Sequence, residues 1–148
     1  MEWTKMNAQS LIIVVDADAI VAQAHLHDSH HEKANSIAQN LKNANAQMIY
    51  PATAICEAVT VLQHKLSSTA TAYGTAVIFT DLNLQVEEVN QQTITRSVNH
   101  YFQQDTGKKN TIFDCIVLDT ANKFKADAIF SFDHFYKAKG FKLAEDLT

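Results

Sequence analysis

Four acidic side chains occupy apolar surroundings spread across nearly the whole chain. Asp16 follows LIIVV, Glu57 lies in ATAICEAVTVL, Asp114 in NTIFDCIVL and Asp133 in AIFSFDHF. Carboxylates are rarely buried unless they are paired or bind a metal. If a fold brought these four together, they would repel one another unless a cation lay between them. Oxygen ligands of this kind suit Mg²⁺ or Mn²⁺ better than zinc or copper. The chemistry open to such a site is that of a divalent ion that offsets negative charge and activates water.

The elements that must position these acids follow from the pattern around them. LIIVVD is a continuous apolar run of the kind found in a parallel sheet, and a helical stretch follows it. Ser29-His30-His31-Glu32 predicts a capping box opening an amphipathic helix, with Ala34, Ile37, Ala38 and Leu41 on one stripe. QMIY reads as a short strand ended by Pro51. Ile55, Ala58, Val59, Leu62 and Leu66 mark the next helix, and Thr69 to Leu82 a further one, interrupted by Gly74. LQVEEV reads as a strand and the segment around Ile94, Val98, Tyr101 and Phe102 as a helix. DTGKKN is a loop, Thr111 to Phe124 a helix, AIFSF a strand and FKLA a last short one. Strands alternating with helices predict a three-layer α/β/α sandwich around a mostly parallel sheet. In such sheets sites form beyond the carboxyl ends of the strands, where both Asp16 and Asp133 fall.

Each acid also has a local alternative. Asp16 and Asp133 could each cap the following segment, and Asp18 could cap in place of Asp16. Thr111-x-x-Asp114 fits a capping-box-like helix start, which is compatible with a second role facing a strand-end crevice. Glu57 lies off the apolar stripe and alone reads as a solvated surface residue. Four nearby histidines, His25, His27, His30 and His31, have spacing that could hold zinc, although their segment reads as a polar connection.

Composition bounds the remaining possibilities. A chain of 148 residues suits one core, expected over 11–148 after a loose polar tail at 1–10. An apolar content of 47% excludes global disorder. The net charge of −4 means that a nucleic-acid partner would need local lysines or metal ions to meet its phosphates. Cys56 and Cys115 form no CxxC pair, which suits a reducing compartment. The longest apolar runs are too short to span a bilayer and no signal peptide is visible, so a cytoplasmic protein without membrane contact is expected. No glycine-rich phosphate loop is present.

In order along the chain, IIVVDADAI, HDSHHEKANSIAQNL, YPATAICEAVTVL, IFDCIVLDTA and ADAIFSFDHF resemble the segments of a PIN domain, and within that family the VapC-like toxins. The resemblance runs from about Leu11 to Leu143 and implies a Mg²⁺- or Mn²⁺-dependent endoribonuclease. It implies that Asp16, Glu57, Asp114 and Asp133 are both catalytic and metal-binding; the further expectation is that Asp16 and Asp114 hold the main ion, while Glu57 and Asp133 complete the site or orient metal-bound water. Ser131 matches a small hydroxyl position before the last acid. Asp18 departs from the usual polar neutral residue and becomes a possible accessory ligand. The implied partners are an RNA substrate, a small antitoxin of a type II pair and a second copy of the chain. Lys108 and Lys109, before the helix of Asp114, are expected to meet RNA phosphates, with Arg96, Lys123 and Lys125 as further cations. The rival readings are a non-catalytic PIN-fold module that binds RNA or protein, a phosphoreceiver domain, and a small haloacid-dehalogenase-like phosphatase suggested by DADAI.

Overall fold

The computed structural model describes residues 10–104, 107 and 109–147. Lys108 and all of the expected tail except Ser10 lie outside these residues.

Four short strands form one sheet in the order β3-β2-β1-β4, all parallel: β1 Ile12–Val15, β2 Gln47–Pro51, β3 Gln85–Glu87 and β4 Ala128–Phe130. The central pairing sets Val15 opposite Phe130, so the chain leaves β1 at Asp16 and β4 at Ser131 at the same edge. The Asp16 amide donates to the Phe130 carbonyl at 3.0 Å, which extends the ladder by one bond. Alternation along the strands divides the core. Ile13, Val15 and Phe130 face one layer, formed by α1 Ala17–Ala24, α2 His31–Asn43, α3 Ala52–Thr60 and α4 Thr69–Ile78. Val14, Ile49 and Ile129 face the other, where α6 Ile112–Phe124 packs with α7 Phe135–Ala138. Helix α5 Gln91–His100 lies against α6. The three-layer arrangement expected from the sequence is the one observed, and the sheet is wholly parallel.

Several local expectations are corrected. Ser29 does not open α2, which starts at His31. Asp28 takes control of that turn instead, because its carboxylate accepts the His30 amide at 2.8 Å and its carbonyl the His31 amide at 3.0 Å. Helix α4 stops at Ile78 rather than Leu82, where Thr80 turns back onto Val77 and Asp81 accepts the Asn83 amide. FKLA contributes a single bridge, Leu143 to Ile129, in place of a strand. One feature was not foreseen: α3 runs directly into a π-helical turn, Val61–Lys65, closed by the Leu66 amide on the Val61 carbonyl.

Two of the further cations are already engaged. Arg96 makes a two-pronged contact with buried Asp119 at 3.0 and 3.1 Å, and Lys123 meets Glu87 at 2.9 Å. Among the described residues no helix is long and apolar enough to cross a membrane.

Ile129 is fully buried between β1 and the α6 layer. Ile129→Ala is expected to cost about 2–5 kcal/mol, seen as a lower urea midpoint with an unchanged slope.

Candidate active site

Three of the carboxylates are linked through two hydroxyls. Ser131 Oγ stands 3.0 Å from Asp18 Oδ2 and 3.1 Å from Asp16 Oδ2. The Tyr136 hydroxyl stands 2.8 Å from the same Asp16 oxygen and 3.3 Å from Asp114 Oδ1. The sequence Asp18–Ser131–Asp16–Tyr136–Asp114 therefore contains four hydroxyl–carboxylate contacts. A hydroxyl has one proton to donate. Two protons serve four contacts, so with all three acids ionised two contacts would set lone pair against lone pair. Added protons or a cation must make up the difference.

Local structure explains why each acid is held here. Asp16 is the N-cap of α1, with the Ala17 amide 2.7 Å from Oδ1. Asp18, in the first turn of α1, accepts the Phe132 amide at 2.8 Å, which ties α1 to the end of β4. Asp114 uses Oδ2 to accept the Thr111 amide at 2.9 Å at the start of α6 and turns Oδ1 toward Tyr136. Asp133 accepts the Phe135 amide at 2.9 Å, and its own amide donates to Ser131 Oγ at 3.1 Å. The capping alternatives for Asp16 and Asp114 are thus realised together with their convergence, whereas α7 opens at His134 with no side-chain cap and Asp133 only closes a turn onto the Phe135 amide. Asp18 is not the cap of α1, a place that Asp16 takes.

Glu57 is half-buried on α3 and turns toward the same crevice. With Asp18, Asp28, His30 and Phe132 it lines a cavity of about 190 Å³, where the His30 ring stacks on Phe132 at 4.2 Å between centroids. Lys109 is exposed in the loop before α6. The zinc alternative among the histidines is not formed: His31 Nδ1 contacts the Ala22 carbonyl at 2.7 Å, while His30 stacks on Phe132.

The electrostatics show the strain of collecting these groups. Burial, reinforced by the charge of Asp18, pushes Asp16 well above the usual carboxylate range. Burial raises Asp18 to about 6. Glu57 is raised to about 7, first by burial and then by the charges of Asp114 and Asp18. Asp114 is raised by burial, with the charge of Asp133 adding to it.

The donor set fits a hard divalent cation in kind, because it consists of carboxylate oxygens packed closely enough to repel. Asp18 Oδ1 is buried and has no hydrogen-bond partner among the described residues, which leaves it available as a ligand. Among the described residues no three acidic, histidine or cysteine side chains converge closely enough to hold an ion as they stand. The fit is one of chemistry and burial, and the side chains would have to adjust to close around an ion.

Comparison with solved structures shows that the chain has the PIN fold of a VapC protein. Mycobacterium tuberculosis VapC20, described as a toxin that cleaves the sarcin-ricin loop, superposes with a TM-score of 0.74 over 87% of this chain and 95% of its own. The two sequences are 18% identical, so the likeness is one of fold. No family model matches the chain, and no curated protein matches its sequence.

Tyr136 is the site residue that the sequence reading missed. The available signal was weak: a polar-tipped aromatic three residues after a strand-end acid.

Raised carboxyl pKa values have a definite consequence for the ion-free protein. Unfolded, these acids titrate near pH 4; folded, Asp18 and Glu57 hold their protons to about 6 and about 7. Between these limits the folded state binds more protons, so stability falls as pH rises. Thermal melts in EDTA are expected to show this fall, and Glu57→Gln is expected to flatten its upper part.

Proposed function

We propose that this chain is a metal-dependent endoribonuclease that hydrolyses RNA phosphodiester bonds as the toxin of a type II toxin–antitoxin pair. The observation that carries the reading is the convergence of Asp16, Asp18 and Asp114 at the strand ends, in a fold shared with an RNA-cleaving toxin. A bound Mg²⁺ or Mn²⁺ would supply positive charge at the scissile phosphate and activate water.

The chain's own residues then have separate tasks. Asp16 and Asp114 hold the ion, and Asp18, with its unpartnered buried oxygen, joins them. Ser131 fixes the orientation of Asp16 and Asp18 from one hydroxyl. Glu57 and Asp133 complete the set or orient the attacking water. No covalent intermediate is required, since water is the nucleophile. Lys109, and Lys108 beside it in sequence, meet the RNA backbone and offset the acidic field of the crevice.

Residues 11–148 act as one domain in this reading, and the protein works in the cytoplasm. Its partners are a small antitoxin and a second copy of the chain. Exposed apolar side chains on α4, Tyr73, Val77 and Ile78, with Leu82 beyond it, provide surface for such contacts.

Purified protein is expected to cut a mixed RNA pool with Mg²⁺ or Mn²⁺ and not with EDTA. Asp114→Asn keeps the side-chain shape and is expected to lower cleavage on the order of 10²–10³-fold. Full activity in folded Asp114→Asn would sink the assignment, and RNA binding without cleavage by the wild type would favour the non-catalytic binding module. Lys109→Ala is expected to weaken RNA binding and to reduce the slope of log affinity against log salt by about 0.7, as measured by titration of a labelled single strand.

A further inference from the structure

Tyr136 has no task in the reading above, although it is one of the largest fully buried side chains. Its ring packs in the α6 layer with Val14, Leu118 and Ile129, and Phe135 meets it edge-on at 5.5 Å between centroids. This packing fixes the hydroxyl. The Asp16 oxygen that it contacts at 2.8 Å also faces Ser131 Oγ, so two hydroxyls already crowd that atom. The other Asp16 oxygen faces the Ala17 amide, and Asp114 Oδ2 is held by the Thr111 amide. Tyr136 thus engages one oxygen of each of the two acids assigned to the main ion.

We propose that the Tyr136 hydroxyl is a positioning residue that stands in for the divalent cation between Asp16 and Asp114 and competes with it for their oxygens. The inference rests on the reading that these acids take such an ion. A hydroxyl donating to an ionised carboxylate makes one of the stronger hydrogen bonds, and this one stands within reach of both acids while donating to one at a time. The bridge stabilises the ion-free protein. A cation drawing on the same lone pairs displaces at least one of the two contacts. Removing the hydroxyl therefore costs the ion-free state more than the loaded state, and ion binding becomes tighter.

Tyr136→Phe keeps the ring and removes the hydroxyl. In calorimetric titration of Mn²⁺ into EDTA-stripped, dialysed protein, the variant is expected to bind roughly three- to thirtyfold more tightly than wild type. Without ion it is expected to melt at a lower temperature. Equal affinities overturn this inference and leave the proposed function standing. Weaker binding by the variant overturns it in favour of a hydroxyl that supports the ion. Absence of binding by both proteins overturns the inference and the metal-dependent reading together. A second measurement needs no Tyr136 variant: in wild type labelled at the tyrosine ζ-carbon, the Tyr136 resonance is expected to shift when Mg²⁺ binds. It is assigned by elimination using Tyr50→Phe, Tyr73→Phe and Tyr101→Phe. An unmoved Tyr136 resonance in Mg²⁺-loaded protein overturns the proposal.

Discussion

The site is governed by a shortage of protons. Asp18, Asp16 and Asp114 are joined by two hydroxyls that cannot satisfy four contacts between them. Bringing like charges together in a partly dry crevice is costly, and the raised pKa values of all three acids express that cost. The folded scaffold must hold the cluster against its own repulsion, and much of the architecture can be understood as the means by which it does so.

The restraint comes from backbone as much as from packing. The Asp16 amide is tied to the last carbonyl of β4, and the Phe132 amide is tied to Asp18, so the two central strand ends are bonded in both directions. Asp114 sits in the first turn of α6, which is buried almost continuously from Cys115 to Ala121 and cannot readily shift. Tyr136 is set by the opposite core. The acids therefore depend on both faces of the sheet, and a change in either layer reaches the same few oxygens.

Much of this was legible in the sequence, and the gaps have physical reasons. The apolar runs before Asp16 and Asp133 read as parallel strands, although the second stops at Phe130, and strand ends are where such folds place chemistry. Asp114 read equally well as a cap or a ligand because one carboxylate has two oxygens, and here they are used separately. Glu57 could not be raised above a surface residue by its helical position, since its surroundings come from distant Asp18 and Asp114. Asp18 looked peripheral because its principal partners are 113 and 114 residues away. Tyr136 was invisible for the same reason, with its nearest acceptor 120 residues upstream. The Ser29 cap failed on a different scale, where Asp28 offered a tighter turn than the motif could outweigh.

The proton shortage also changes what loading the site means for an approaching phosphate. Carboxyls that keep their protons toward neutral pH give them up when a cation takes their oxygens. Under the proposed function, uptake of an ion by this crevice would be an exchange for those protons, and the field at its mouth would change by less than the full charge of the ion. The same stoichiometry makes occupancy a function of acidity. In the same reading a fall in surrounding pH would weaken occupancy at constant metal concentration, because protons and the ion compete for the same oxygens.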